Sequence, residues 1–275
     1  MGRVVAIANQ KGGVGKTTTA INLGACLAEL GQRVLLCDVD PQGNATTGLG
    51  IAKGEREESM YQVIIEGDPM RDAVLPTAVE GLHIVPSSVD LAGAEVELVT
   101  TEHREYRLRT ALEPMRPRYD FVILDCPPSL GLMTLNALTA ADSVLIPLQC
   151  EYYAMEGLAQ FTGAVDRVKS SLNQNLSLEG GVLTMFDHRM TLSNQVREEV
   201  GKFFGPTLFQ AIIPRNIRLA EAPGFGQSIF QYDAKSRGAE AYMAFAREFL
   251  SRRGIAQPLN EIETQPRPEN VENQS

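Results

Sequence analysis

An apolar run, Val4-Val5-Ala6-Ile7-Ala8, leads directly into Gln10-Lys11-Gly12-Gly13-Val14-Gly15-Lys16-Thr17-Thr18-Thr19. A helical pattern, Ala20-Ile21-Asn22-Leu23-Gly24-Ala25-Cys26-Leu27, follows at once. Strand, glycine-rich loop and helix in that order are the layout that holds a polyphosphate at a helix N-terminus. Glycines let backbone N–H groups converge on phosphate oxygens where a Cβ would intrude. In this reading Lys16 carries the charge for the β- and γ-phosphates, and the Thr17 hydroxyl is a magnesium ligand. The common spacing GxxxxGK[ST] would put glycine at position 10, but the chain has Gln10 there and a second lysine, Lys11, ahead of the glycine pair.

At 275 residues the chain is long enough for one large α/β domain or two small ones, and with 44% hydrophobic and 21% charged residues it reads as an ordinary soluble globular protein. No apolar run reaches the length of a membrane span. The first strand begins so early that no signal peptide is expected, which favours a cytoplasmic location. Cys26, Cys37, Cys126 and Cys150 are widely spaced with no C-x-x-C pair, so they are expected as small core side chains. The net charge of −9 argues against general polyanion affinity and leaves room only for a local basic patch.

Short apolar runs alternate with longer amphipathic stretches, the pattern of βαβ units. Strands are expected at 4–8, 34–37, 82–85, 121–125, 143–147, 181–185 and 208–213, and helices at 17–30, 104–115, 157–172, 192–204 and 237–252. Continuous apolar strands mean helices on both faces, so the expected fold is α/β: a doubly wound, mostly parallel sheet flanked by helices. One domain over 1–253 is expected. Residues 254–275, acidic, proline-containing and poor in large apolar groups, are expected as a disordered tail.

Two further segments belong beside the phosphate loop. Asp38-Val39-Asp40-Pro41-Gln42-Gly43-Asn44 brings two carboxylates to the carboxyl end of a strand, the ligand edge of a parallel sheet. Phe121-Val122-Ile123-Leu124-Asp125 delivers one carboxylate from a rigid apolar strand, suited to hold magnesium through water. Cys126-Pro127-Pro128 stiffens the exit. The histidines carry no ligand spacing. Tyr152, Tyr153, Met155, Met185, Phe186 and Met190 read as core or subunit-face packing.

The phosphate loop with its extra lysine is similar to the deviant Walker A motif of the ParA/MinD ATPases. The stretches 149–154, 213–223 and 232–239 resemble the chromosomal ParA (Soj) branch. The resemblance runs from Met1 to about residue 250. It implies ATP and Mg2+ bound by Lys11, Gly12, Gly13, Val14, Gly15, Lys16, Thr17 and Thr18, with Pro214 and Asn216 beside the adenine. It implies Thr17, Asp40 and Asp125 at the metal, the carboxylates through water. Lys11, Lys16 and Asp40 would act in hydrolysis, with Lys11 reaching a partner's nucleotide across an ATP-dependent homodimer. It further implies non-specific DNA binding through Arg189 and Arg218, nucleoid association, and stimulation by a ParB-type centromere-binding protein. MinD-type relatives end in an amphipathic membrane helix. The acidic end of this chain gives no such signal, so no membrane partner is expected. Two other functions stay open on these residues: an ATP switch that positions another protein cargo, and a metabolic P-loop enzyme.

Overall fold

In a computed structural model, which describes residues 2–52 and 58–255, eight strands form one sheet. They are β1 (Arg3–Ile7), β2 (Val34–Asp38), β3 (Leu75–Pro76), β4 (Leu82–Val85), β5 (Phe121–Asp125), β6 (Ser143–Gln149), β7 (Ser177–Phe186) and β8 (Leu208–Pro214). The α-helices are α1 (Lys16–Glu29), α2 (Asn44–Gly48), α3 (Ala94–Glu97), α4 (Arg107–Leu112), α5 (Leu132–Ala140), α6 (Ala154–Ser171), α7 (Thr191–Phe204), α8 (Ile217–Glu221), α9 (Ile229–Asp233) and α10 (Arg237–Ser251). Spatial order is β3-β4-β2-β5-β1-β6-β7-β8, and every pairing is parallel except that of the two-residue edge strand β3 with β4. The doubly wound sheet expected from the sequence is present. From β1 the chain passes to β2 on one side of the sheet, and after β5 it crosses β1 to β6, β7 and β8 on the other, so the loop after β1 lies at the switch point, where open α/β sheets bind ligands.

The apolar strands are buried because side chains alternate between two cores. Val4, Ala6, Leu35, Cys37, Val122, Leu124, Val144 and Ile146 enter one cluster, with α4 to α7 over it. Val5, Ile7, Val34, Leu36, Phe121, Ile123 and Leu145 enter the other, covered by α1 and α10. All four cysteines are buried, and burial pushes each thiol up, that of Cys150 to about 11. They are core side chains, as their spacing suggested.

Two expectations need correction. Of the helix expected at 104–115 only the short α4 is α-helical; Arg104–Tyr106 forms a 3-10 turn before it, and a second 3-10 turn, Arg116–Arg118, follows beyond its end. Pro114 and Pro117 cannot continue the helical ladder. Asn136 takes over the backbone instead, accepting from the Leu108 N–H at 3.1 Å and donating to the Arg104 carbonyl at 2.9 Å. Helix α5 went unforeseen because almost all of Leu132–Ala140 is buried, which leaves no polar stripe to reveal a 3.6-residue period. Most of the expected acidic tail, from residue 256 on, lies outside the described residues.

Helix α10 is fastened to the sheet by aromatics. Phe249 is fully buried, 5.5 Å from the Phe121 ring and 6.4 Å from those of Phe209 and Phe245. Phe249→Ala is expected to cost about 3–5 kcal/mol of stability, seen as a lower denaturant midpoint with unchanged slope.

Candidate functional site

Between β1 and α1 the backbone folds into a cup. Gly13 (φ 73°) and Gly15 (φ 85°) both occupy the left-handed region, and Gly15 caps α1. A side chain there would be strained, so these glycines set the shape of the loop. The loop is pinned from below. The Asn9 amide donates to the Pro147 carbonyl at 2.8 Å, and its oxygen accepts from the Lys11 N–H at 3.0 Å. The Thr184 hydroxyl donates within reach of the Val14 carbonyl (2.8 Å) and the Leu148 carbonyl (3.1 Å). Val14 is buried beneath the loop. Lys16 curls back so that its ammonium donates to the Lys11 carbonyl at 3.1 Å, and the side chain is almost completely buried.

This cup opens into a cavity of about 710 Å³, lined by Gly12, Gly13, Gly15, Lys16, Thr17, Thr18, Asp40, Pro214 and Asn216. Nine residues expected at the nucleotide or its metal are therefore brought together from three separate stretches of chain. Its walls include groups not foreseen: Gln42, Asn44, Thr184, Arg215 and Met185. Met185 adopts φ 49°, beside a register break between β7 and β8. A left-handed conformation at a long side chain marks stored strain, which recurs at ligand sites. The volume is ample for a nucleotide, and the wall from Pro214 to Asn216 offers backbone and amide groups for a base.

Behind the loop, three carboxylates meet at the carboxyl ends of β2 and β5. Asp38 and Asp125 stand opposite each other in register, both fully buried. Asp38 accepts from the Thr46 hydroxyl at 2.7 Å, the Thr46 N–H at 2.8 Å and the Asp40 N–H at 3.2 Å. It thereby ties the turn that carries Asp40, whose own carboxylate accepts from the Gln42 N–H at 2.9 Å. The Thr46 hydroxyl in turn accepts from the Ser87 N–H at 3.0 Å. Burial pushes Asp38 up to about 6, against the pull of these donors. Sequence reading placed Asp38 at the strand end but gave it no role. The spacing of Asp38 and Thr46, eight residues apart across a glycine turn, carried the signal only in three dimensions.

Asp125 differs. Neither carboxylate oxygen has a hydrogen-bond partner among the described residues, and the Thr17 hydroxyl faces it outside good hydrogen-bond geometry. Burial, with Asp38 adding to it, raises its proton affinity well above the usual carboxylate range. Lys16 is lowered by burial, while the Asp125 and Asp40 charges hold it up. An orphaned buried carboxylate beside a threonine and a phosphate loop fits Mg2+ held through Thr17 and water. Among the described residues no cluster of three or more His, Cys, Asp or Glu forms an all-protein cage. Magnesium at phosphates needs none.

Lys11 does not line the cavity. Its ammonium pairs with the Glu151 carboxylate, and both side chains are partly exposed. Tyr152 and Tyr153 beside it are exposed at 76% and 68%, as is Met190 at 53%, so these are surface groups; Phe186 belongs to the core. Arg189 and Arg218 do not line the nucleotide cavity, although Arg218 lies between Ile217 and Leu219, which do. Arg189 is 89% exposed in its side chain and forms a forked pair with Asp187, at 2.7 Å for the closer bond. Arg218 pairs with Glu221 at 2.9 Å and Asp233 at 3.6 Å.

The electrostatics of Asp125 generate a prediction. A carboxyl whose folded-state pKa is raised opposes folding when ionised, so its cost is present at neutral pH and fades as pH falls and it takes up a proton. Asp125→Asn should therefore stabilise the nucleotide-free protein at pH 7–8 by at least about 1 kcal/mol. That gain should shrink on acidification, while magnesium-dependent nucleotide binding weakens. Denaturant midpoints across pH, with and without Mg-nucleotide, measure both.

Comparison with known proteins agrees with this geometry. Residues 2–178 match the family described as AAA domain. The chain is 55% identical over 248 residues to the sporulation initiation inhibitor protein Soj of Bacillus subtilis, covering 90% of this chain and 98% of that one. It is 55% identical over 252 residues to the chromosome partitioning protein ParA of Myxococcus xanthus, covering 92% and 89%. A Mycobacterium smegmatis structure, described as cobyrinic acid a,c-diamide synthase with bound ADP and magnesium, superposes with a TM-score of 0.81 at 40% identity, covering 92% and 96%. No helix among the described residues is long and apolar enough to cross a membrane. With its strand, two-lysine loop, paired strand-end carboxylates and near full-length identity to these proteins, the chain belongs to the ParA/Soj family of chromosome-partitioning P-loop ATPases.

Proposed function

We infer that this protein is an ATP-hydrolysing dimer switch that holds non-specific DNA in its ATP state and serves chromosome or plasmid partitioning with a ParB-type partner. One observation carries the reading furthest. Lys11 sits on the phosphate loop, yet its side chain leaves the loop's own cavity and is held at the surface by Glu151. A lysine so placed is free to serve a second copy's phosphates once that ion pair is exchanged. An exposed or half-exposed pair costs little to break, on the order of 1 kcal/mol or less.

The division of labour follows from positions. The loop N–H groups and Lys16 bind the phosphates, and Thr17 with Asp125 would hold Mg2+. That ion would supply charge neutralisation across the phosphate oxygens. Asp40, at the cavity wall on a turn anchored by Asp38, orients the attacking water. Pro214 and Asn216 flank the base; the Asn216 oxygen already caps α8 through the Arg218 N–H at 2.8 Å, which leaves its NH2 for ligand. The α8 cap also couples the base wall to Arg218. Arg189 and Arg218 take DNA phosphates in place of their present carboxylate partners. The match to Soj and ParA over nearly their whole length supports the partition role.

Three measurements test this. The purified protein is expected to co-sediment with DNA in ATP but not in ADP or without nucleotide, and to release it as salt rises. DNA retention in no state would move the function to cargo positioning and leave the ATPase in place. Lys11→Ala should keep ATP binding within a few fold and lose the nucleotide-dependent dimer in light scattering. The double variant Arg189→Ala, Arg218→Ala should still dimerise with ATP and no longer retain DNA. If it still does, the two arginines are not the DNA contacts.

A further inference from the structure

Away from the nucleotide cavity, a second cleft of about 610 Å³ lies between α4 and the segment that follows α2 in the fold. It shares no lining residue with the nucleotide cavity. Its floor is apolar: Val63, Met70 and Met115 are buried there, with Ala111 beside them. Its rim carries Arg71, Arg107 and Arg118 against Asp68 and Glu102.

Three independent features converge on this cleft. The first is unspent charge. Arg71 is paired with Asp72 at 3.3 Å, but Arg107 and Arg118 have no hydrogen-bond or ion-pair partner from their side chains among the described residues. Arg107 is half-buried, and its guanidinium lies beside Gly67 on the cleft lining. The second is backbone shape. Gly67 (φ 82°) and His103 (φ 56°) both take left-handed conformations on the lining. A Cβ on Gly67 would sit only 3.4 Å from the Arg107 guanidinium. Strain at a non-glycine such as His103 persists where surrounding structure enforces it, often at a ligand clamp. The third is the π-helical turn Gln62–Glu66, which supplies Val63 to the floor. Such turns are rare and concentrate at functional sites. An apolar floor of this volume with a few convergent polar groups has the make-up of a small-molecule site.

We propose that this cleft binds a small organic anion with a flat apolar body, its phosphate or carboxylate head on Arg107 and Arg118. Guanidinium forks match both head groups in a bidentate way. Asp68 and Glu102 at the rim hold the net positive charge low, which selects against a nucleic acid or a triphosphate. The apolar floor and the edge-on ring pair of His103 and Tyr106, 6.3 Å apart, seat the body. Occupation would bridge Gly67 and α4, which already meet at the Arg107 guanidinium, across the cleft they line together.

The test uses the full chain with its nucleotide cavity saturated by Mg-ADP, so that the phosphate loop cannot take the probe. Binding of 1-naphthyl phosphate and of 1-naphthoate is measured by calorimetry, with inorganic phosphate and 1-naphthol as controls. At least one naphthyl anion is expected to bind with Kd at or below about 1 mM. Affinity should fall at least tenfold in Arg107→Gln and in Arg118→Gln, both still binding ADP normally. The tighter of the two anions identifies the head group. Absence of binding overturns the proposal, as does binding that ADP displaces or that neither substitution weakens. Equal affinity for inorganic phosphate, or for 1-naphthol, also overturns it, because one half of the cleft would then be idle.

Discussion

Buried negative charge at the carboxyl ends of β2 and β5 is the constraint around which the nucleotide cavity is built. A parallel sheet sealed on both faces has nowhere to place polar chemistry except along that edge. Asp38 and Asp125 are drawn into the same dry spot by strand register, and the two respond in opposite ways. Asp38 is satisfied by Thr46 and the Asp40 backbone and becomes a structural anchor. Asp125 has its oxygens unpartnered and becomes the group with most to gain from a cation. Lys16, buried alongside, offsets part of that charge while keeping its ammonium at the loop. A site of this kind is destabilising when empty and is relieved by its ligand, which makes binding and conformational stability one coupled quantity.

The same edge links nucleotide to surface. Asp40 lies on the turn that Asp38 anchors, and Thr46 extends the connection through Ser87 to the neighbouring segment. Gly226 approaches Gly50 so closely that a Cβ on Gly226 would fall 2.6 Å from the Gly50 Cα, which fixes the end of α2 against the turn before α9. Asn216 caps the helix that carries Arg218. The proposed base contact Asn216 and the candidate DNA contact Arg218 are thus joined by one short, hydrogen-bonded stretch. Lys11 completes the arrangement from outside, since its pairing with Glu151 brings β6 and the phosphate loop into one surface.

Much of this was legible in the sequence. The phosphate loop announced itself through glycine spacing and two lysines, and the strands through continuous apolar runs. Both signals are local, because backbone conformation at glycine and burial of short apolar runs depend on few neighbours. The elements that escaped notice share one property: their character comes from contacts distant in sequence. Helix α5 has no polar stripe because it is covered on almost every side. The break in 104–115 depends on Asn136, some thirty residues away. Thr184 and Asn9, which brace the phosphate loop, are unremarkable residues until β6 and β7 come alongside.

By itself, the sequence determined the α/β class and the glycine-rich loop, since both follow from residue type and local spacing, whereas Pro214 and Asn216 were expected at the base only through the resemblance to the ParA/MinD ATPases. Only the tertiary structure decided which groups meet. It placed Pro214 and Asn216 beside residues about two hundred positions earlier in the chain, kept Lys11 out of its own cavity, and divided two facing carboxylates into a hydrogen-bonded anchor and one without a hydrogen-bond partner. Those outcomes rest on strand order and burial, and burial sets the strength of every charge it encloses.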